Sequence, residues 1–125
     1  KLHQKIKDKN LEDRVTILSN ISNPYPFLAK SELFVLSSNY EGFPNTLLEA
    51  LFLEIKVVST NCESGPDEIL EDGKNGILVE SNNIKELTNA IKLSLEQIQD
   101  KNIKKKISKK YGINNIATQY LQLLK

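Results

Sequence analysis

The chain has 125 residues, 39% hydrophobic and 26% charged, with 17 basic against 16 acidic residues and a formal net charge of +1. That length holds one ordinary domain, and a chain of this size buries roughly two thirds of its unfolded surface, enough for a modest core. The near-balanced charge excludes a global field for nucleic acid, and the lone cysteine, Cys62, excludes an intrachain disulfide and any cysteine cluster for zinc. The start, KLHQKIKDK, has no hydrophobic signal core, and no apolar run is long enough to cross a bilayer. A cytoplasmic protein is expected, with His3 a solvated surface residue.

Leu2 to Lys9 reads as the last turns of a helix with no start signal before it, so the chain is expected to be the tail of something longer. "RVTIL" (Arg14–Leu18) is β-branched and strand-like, and "ELFVLS" (Glu32–Ser37) is a continuous apolar run of strand length. "KVVST" (Lys56–Thr60) and "GILVE" (Gly76–Glu80) repeat that signal. Short helical patterns lie between them at Tyr25–Lys30, Asn45–Glu54 and Gly65–Leu70. Fully apolar strands alternating with helices predict an α/β fold, a Rossmann-like parallel sheet flanked by helices.

"EDGKNG" (Glu71–Gly76) reads as a helix-to-strand turn with Gly73 or Gly76 at positive φ. Ile84, Leu87, Ile91, Leu95 and Ile98 then recur at helical spacing, with Asn82 or Asn83 as the cap. Two more helices are predicted, Ile103–Tyr111 and Ile113–Leu124, broken at Gly112. Tyr111, Tyr120 and the last leucines are expected to pack the terminal helix. "KNIKKKISKK" (Lys101–Lys110) carries six lysines. It is either the solvated face of a helix or a contact for anionic lipid head groups. No aromatic residues are interleaved with that charge, which argues against nucleic acid.

The stretch "YEGFPNTLLEAL" carries the chemistry. A helix starting at Thr46 with Asn45 as N-cap would point several backbone N–H groups back toward Glu41–Asn45. In an open α/β sheet, helix N-termini lie at the carboxyl ends of strands, where ligands bind. Gly42 allows close approach to the backbone and Pro44 stiffens the turn, which makes a pocket suited to phosphate. Two ionised acids beside a diphosphate would repel it, yet carboxylates accept well from vicinal hydroxyls. On this reading Glu49 takes a ribose diol and Glu41 faces a transferred sugar. The competing reading is that acids near a helix N-terminus contribute about 0.3–1 kcal/mol with no ligand at all.

"ELFVLSSNYEGFPNTLLEAL" resembles the signature of family 4 of the retaining glycosyltransferases, a GT-B-fold family whose hallmark is Glu, seven residues, Glu, matched by Glu41 and Glu49. The family's Gly-Phe-Pro follows the first acid. "LEDRVTILS" is similar to its strand before the base-binding loop, and "VVSTNCESGPDEILEDGKNGILVE" to its Gly-x-x-Glu-hydrophobic and Asp-Gly-x-Asn-Gly elements. The resemblance implies that residues 1–125 form one N-terminally incomplete nucleotide-sugar-binding domain, part of the C-terminal half of a GT-B enzyme, with a helical tail over 101–125. It implies ribose binding by Glu49 and makes Glu41 the candidate catalytic residue, orienting hydroxyls and not acting as nucleophile. Gly42, Phe43, Pro44, Asn45, Thr46 and Leu47 would line the donor pocket, with Ser19 and Asn20 beside the nucleobase. Glu68 is either a donor-loop contact or part of a solvated face.

"CESGPDEIL" is similar to members that use UDP-linked amino sugars or hexoses, so a UDP-sugar is the implied donor. The implied acceptor is a glycan or lipid-linked saccharide. No Asp-x-Asp occurs, in keeping with a metal-independent family, and no separate cofactor is expected. The family's Gly-rich loop and its diphosphate-clamping Arg and Lys have no counterpart before Leu11. The chain would therefore work with an N-terminal acceptor domain on another chain, at the inner face of the membrane. The alternative is an inactive or partner-dependent nucleotide-sugar-binding fragment.

Overall fold

The structure, a computed structural model, describes residues 1–123, without the side chains of 119–121 and 123. In chain order the elements are α1 (Leu2–Asp8), α2 (Tyr25–Leu28), β1 (Leu33–Leu36), α3 (Asn45–Phe52), β2 (Lys56–Thr60), α4 (Pro66–Leu70), β3 (Ile77–Val79), α5 (Ile84–Glu96), α6 (Ile103–Tyr111) and α7 (Ile113–Leu123). The strands form a parallel sheet in the order β1-β2-β3, with Phe34 opposite Val57 and Ser59 opposite Leu78. The predicted α/β architecture is the observed one.

Alternation along β2 explains why its sequence is apolar without a polar face. Val57 joins Leu47, Ala50, Leu51, Ile69, Leu70, Ile103 and Ile107 on one side of the sheet, where α3, α4 and α6 pack. Its neighbour Val58 points the other way, to Val79 and Ala90 beneath α5. Burying each of these side chains contributes roughly 1.5–3 kcal/mol, so the central strand anchors both layers.

The turn after α4 takes its shape from a run of left-handed residues: Glu71 at φ 50°, Asp72 at 54° and Gly73 at 92°. Of the two glycines considered, Gly73 therefore holds the positive φ. Gly76 serves packing, since a Cβ there would stand 2.9 Å from the Val57 carbonyl oxygen. Asn83 caps α5: its side-chain oxygen accepts from the Glu86 N–H at 3.0 Å, and the Glu86 carboxylate accepts in return from the Asn83 side-chain amide and the Glu80 N–H. This is a reciprocal side-chain cap that differs from the usual capping box in that the Asn83 backbone N–H donates to the Glu80 carbonyl.

Three expectations are corrected. Arg14–Leu18 is not a strand: Arg14 lies in a turn, and Val15, Ile17 and Leu18 are 41%, 38% and 51% exposed. A strand forms when a neighbour completes its hydrogen-bond ladder, and no described strand runs beside this segment. On α5 the predicted stripe is rotated. Ala90 and Ser94 are the buried residues, whereas Ile84 and Leu95 are exposed and Ile98 lies beyond the helix, 94% exposed. Small residues let the helix approach the narrow sheet closely, and this closeness overrides the hydrophobic count. The N-cap of α3 is Pro44, not Asn45, which is already the first helical residue. The predicted last helix is found as α7, while Leu124 and the packing expected of Tyr120 lie outside the described residues.

Candidate functional site

The loop after β1 crosses the carboxyl end of the sheet before α3 begins. Its first half is tied to β2, because the Thr60 hydroxyl donates to the carbonyls of Leu36 and Ser38. Ser38 in turn donates its hydroxyl to Glu41 Oε1 at 2.5 Å, which turns that carboxylate toward the sheet end. Gly42 and Phe43 are exposed, Pro44 is buried, Asn45 and Thr46 are exposed, and Leu47 is fully buried in the core. The loop is thus anchored at Pro44 and Leu47 and open between them. No atom lies within 4 Å of a Cβ placed on Gly42, so its backbone faces free space.

The helix end offers fewer donors than predicted. The Asn45 N–H bonds to the Phe43 carbonyl at 2.9 Å and the Leu47 N–H to the Pro44 carbonyl at 3.0 Å. These bonds follow from Pro44 as N-cap, whose ring supplies no side-chain acceptor. The Thr46 N–H has no backbone acceptor among the described residues, so this amide remains open to an anion arriving over Gly42.

Glu49 lies one turn further along α3, half-buried, where its Oε1 accepts from the Tyr25 hydroxyl at 3.1 Å. That hydrogen bond, with the negative charge of Glu49, raises the Tyr25 pKa, so the phenol stays a donor across the ordinary pH range. Each acid of the pair therefore accepts a hydroxyl from within the chain. Ser19 and Asn20 sit in an exposed loop, Asn20 at φ 54°. Glu68 is exposed, and what it contributes is its carbonyl, which accepts from Lys110 Nζ at 3.2 Å and from the Tyr111 hydroxyl at 3.3 Å. Cys62 is buried, in the role of a small hydrophobe. Among the described residues, no group of three His, Cys, Asp or Glu side chains could hold a metal ion.

Two supports of the loop were not read from the sequence. Gly65, at φ 114°, runs directly under it: a Cβ there would come within 2.7 Å of Pro44 Cδ and 3.4 Å of the Gly42 carbonyl. In the sequence Gly65 reads as the start of a short helix, which does not contain this contact. Tyr111, at the end of α6, brings its ring within 6.1 Å of the Phe43 ring at a tilt of 54°.

The profile of the glycosyl transferases group 1 family matches residues 1–112. The chain belongs to that family. Among curated proteins it is 41% identical over 91 residues to N-acetylgalactosamine-N,N'-diacetylbacillosaminyl-diphospho-undecaprenol 4-alpha-N-acetylgalactosaminyltransferase of Campylobacter jejuni, covering 73% of this chain and 25% of the relative. The chain thus spans a quarter of that relative's length. Among solved structures, Anabaena HepE in complex with UDP and glucose superposes with a TM-score of 0.83 at 27% identity, over 98% of this chain and 35% of HepE. A C-terminal domain of a glycosyl transferase group 1 protein from Francisella tularensis matches with a TM-score of 0.62 at 27% identity, over 95% of this chain and 60% of that one. The fold is shared with GT-B glycosyltransferases, and this group 1 chain corresponds to their C-terminal part.

Proposed function

We propose that this chain is the donor-binding portion of a retaining glycosyltransferase that moves a sugar from a UDP-sugar to a glycan or lipid-linked acceptor. The observation that carries the reading is the placement of two hydroxyl-accepting carboxylates, Glu41 and Glu49, around the open Thr46 amide at the start of α3. The exposed backbone of Gly42 and Phe43 admits the diphosphate, and the Thr46 N–H with the positive end of α3 takes its charge. Glu49 accepts from the ribose hydroxyls, with Ser19 and Asn20 beside the base. Glu41 accepts from hydroxyls of the sugar, which orients it for departure. Asn45 and Leu47 set the helix end in place, and Pro44 fixes the entry of the loop.

Retention follows an oxocarbenium-like path in which the sugar–phosphate bond breaks and the leaving diphosphate is stabilised by preorganised donors. The acceptor site belongs to an N-terminal domain. Lys101–Lys110 supplies a basic face toward anionic lipid, placing the assembly at the cytoplasmic side of a membrane. The Campylobacter relative, whose name specifies an undecaprenol-linked substrate, supports that placement. No helix among the described residues is long and apolar enough to cross a membrane.

The test is a calorimetric or NMR titration with UDP of the wild-type chain and of Glu49→Ala. Saturable binding with shifts at residues 41–49, weakened about tenfold in the variant, is the expected result, since a hydrogen bond to a charged group contributes roughly 1.5 kcal/mol or more. A folded chain that does not bind UDP supports the second reading, a partner-dependent or inactive fragment. The observation favouring that reading is that the only arginine, Arg14, lies exposed in a turn.

A further inference from the structure

We infer that Tyr25 is a positioning residue for the carboxylate of Glu49, setting which of its oxygens meets the ribose diol. The inference rests on the donor-binding reading above and adds to it a group that neither the helix start nor the two-acid signature contains. The two residues come from different elements: Tyr25 opens α2 and Glu49 sits on the second turn of α3, yet the phenol oxygen lies 3.1 Å from Glu49 Oε1.

The backbone around Tyr25 is constrained locally, although α2 buries no residue. The Tyr25 N–H donates to the Asn23 side-chain oxygen at 3.2 Å, closing an Asx turn. Pro24 and Pro26 flank it and restrict φ on either side of the contact. Leu28, at the far end of α2, packs partly buried against the main core. Glu49 has three rotatable side-chain bonds, while Tyr25 has two and a rigid ring. A hydroxyl held at a fixed height therefore removes rotamer freedom from the carboxylate before any ligand arrives.

The arrangement leaves the acid usable. An ionised carboxylate presents about four acceptor positions, and one phenol occupies one of them on Oε1. Oε2 and the remaining lone pair of Oε1 stay available to a vicinal diol. Glu49 also stands at the lip of an open, mostly apolar groove of about 390 Å³ bounded by Tyr25, Leu48, Phe52, Leu53 and Tyr111. The carboxylate is thus reached from outside the chain. The raised pKa of Tyr25 fits this role, since the group must remain protonated to donate.

The test compares UDP with 2′,3′-dideoxy-UDP on the wild-type chain, Tyr25→Phe, Glu49→Ala and the double variant. Tyr25→Phe removes one oxygen and keeps the ring, so packing is preserved and circular dichroism checks the fold. The expected result is that wild type prefers UDP over the dideoxy analogue, and that Tyr25→Phe loses about three- to tenfold affinity for UDP while its affinity for the analogue is unchanged. In Glu49→Ala, which removes the acceptor altogether, the added Tyr25→Phe change then costs nothing further, because the two act through one interaction. Wild-type preference for UDP that persists undiminished in Tyr25→Phe overturns the inference and leaves the role of Glu49 standing, as does equal loss of both ligands or tighter UDP binding. A wild-type chain that binds both nucleotides equally, or neither, refutes the ribose reading of Glu49 itself, and the inference falls with it.

Discussion

Gly65→Ala tests how the loop before α3 is held. The residue combines two constraints that a methyl group violates together. At φ 114° it lies outside the region that L-residues reach at moderate cost, and its Cβ would stand 2.7 Å from Pro44 Cδ. Backbone strain of this kind costs about 1–3 kcal/mol, and relieving a carbon–carbon approach so far inside the normal 3.5–4.0 Å contact adds about 1–3 kcal/mol of displacement. Against these stands about 0.4–1 kcal/mol from restricting the unfolded chain. A net loss of about 3 kcal/mol is expected. With an unfolding entropy of about 2.1 cal/mol/K per residue, a loss of that size lowers the Tm by about 11 °C for a chain of 125 residues. Thermal melts followed by far-UV circular dichroism read it directly. Gly42→Ala is the control: it has no atom within 4 Å of the added methyl, and its Tm should stay within about 2 °C of wild type. Equal melting of wild type and Gly65→Ala, or equal loss in both variants, would refute the reasoning.

Asn83→Ala removes the side-chain acceptor from the Glu86 N–H and breaks the reciprocal cap, so α5 should weaken by about 1 kcal/mol, read as a lower urea midpoint. A midpoint within error of wild type would assign the cap no energetic role. The Asp100 pKa is lowered by the ammonium of Lys106 at 2.8 Å and by the Asn102 N–H. The charged form is favoured in the folded state, so the stabilisation is present above the ordinary carboxylate pKa and is lost as pH falls through the depressed one. Carbon-detected NMR of the Asp100 carboxyl should show titration below the usual range, moving upward in Lys106→Gln. An unmoved curve would mean that the pair does not persist in solution.

How much of this was legible in the sequence depended on whether the determinants were local. Lys56–Thr60 and Ile103–Tyr111 were predicted to the residue, because an apolar β-branched run and an Ile pair at four-residue spacing each report their own burial. Arg14–Leu18 carries the same local signal as β2, but pairing is decided by a neighbour that the local pattern does not contain. On α5, spacing identified the helix but not the buried face, since Ala90 and Ser94 win their place by size and not by hydrophobicity. At the site, the two acids and the loop glycine stood out in sequence. The contact of Tyr25 with Glu49, 24 residues away, is a product of how α2 is docked, and no pattern in either segment announces it. The Gly65 contact with Pro44 is of the same kind.

Among the described residues, β1 pairs with β2 on one side only. Along its other side, alternate residues turn their N–H and C=O groups outward in the geometry of an unfinished ladder. Edges of this sort are commonly guarded by a lysine, a proline or a bulge, whereas Leu-Phe-Val-Leu carries none, and Val35 is 36% exposed there. What such an edge recognises is main chain, which every extended segment possesses whatever its side chains. The width of this sheet is therefore a property that depends on what lies alongside it: another strand laid against β1 would extend the hydrogen-bonded layer and cover Val35 in the same movement.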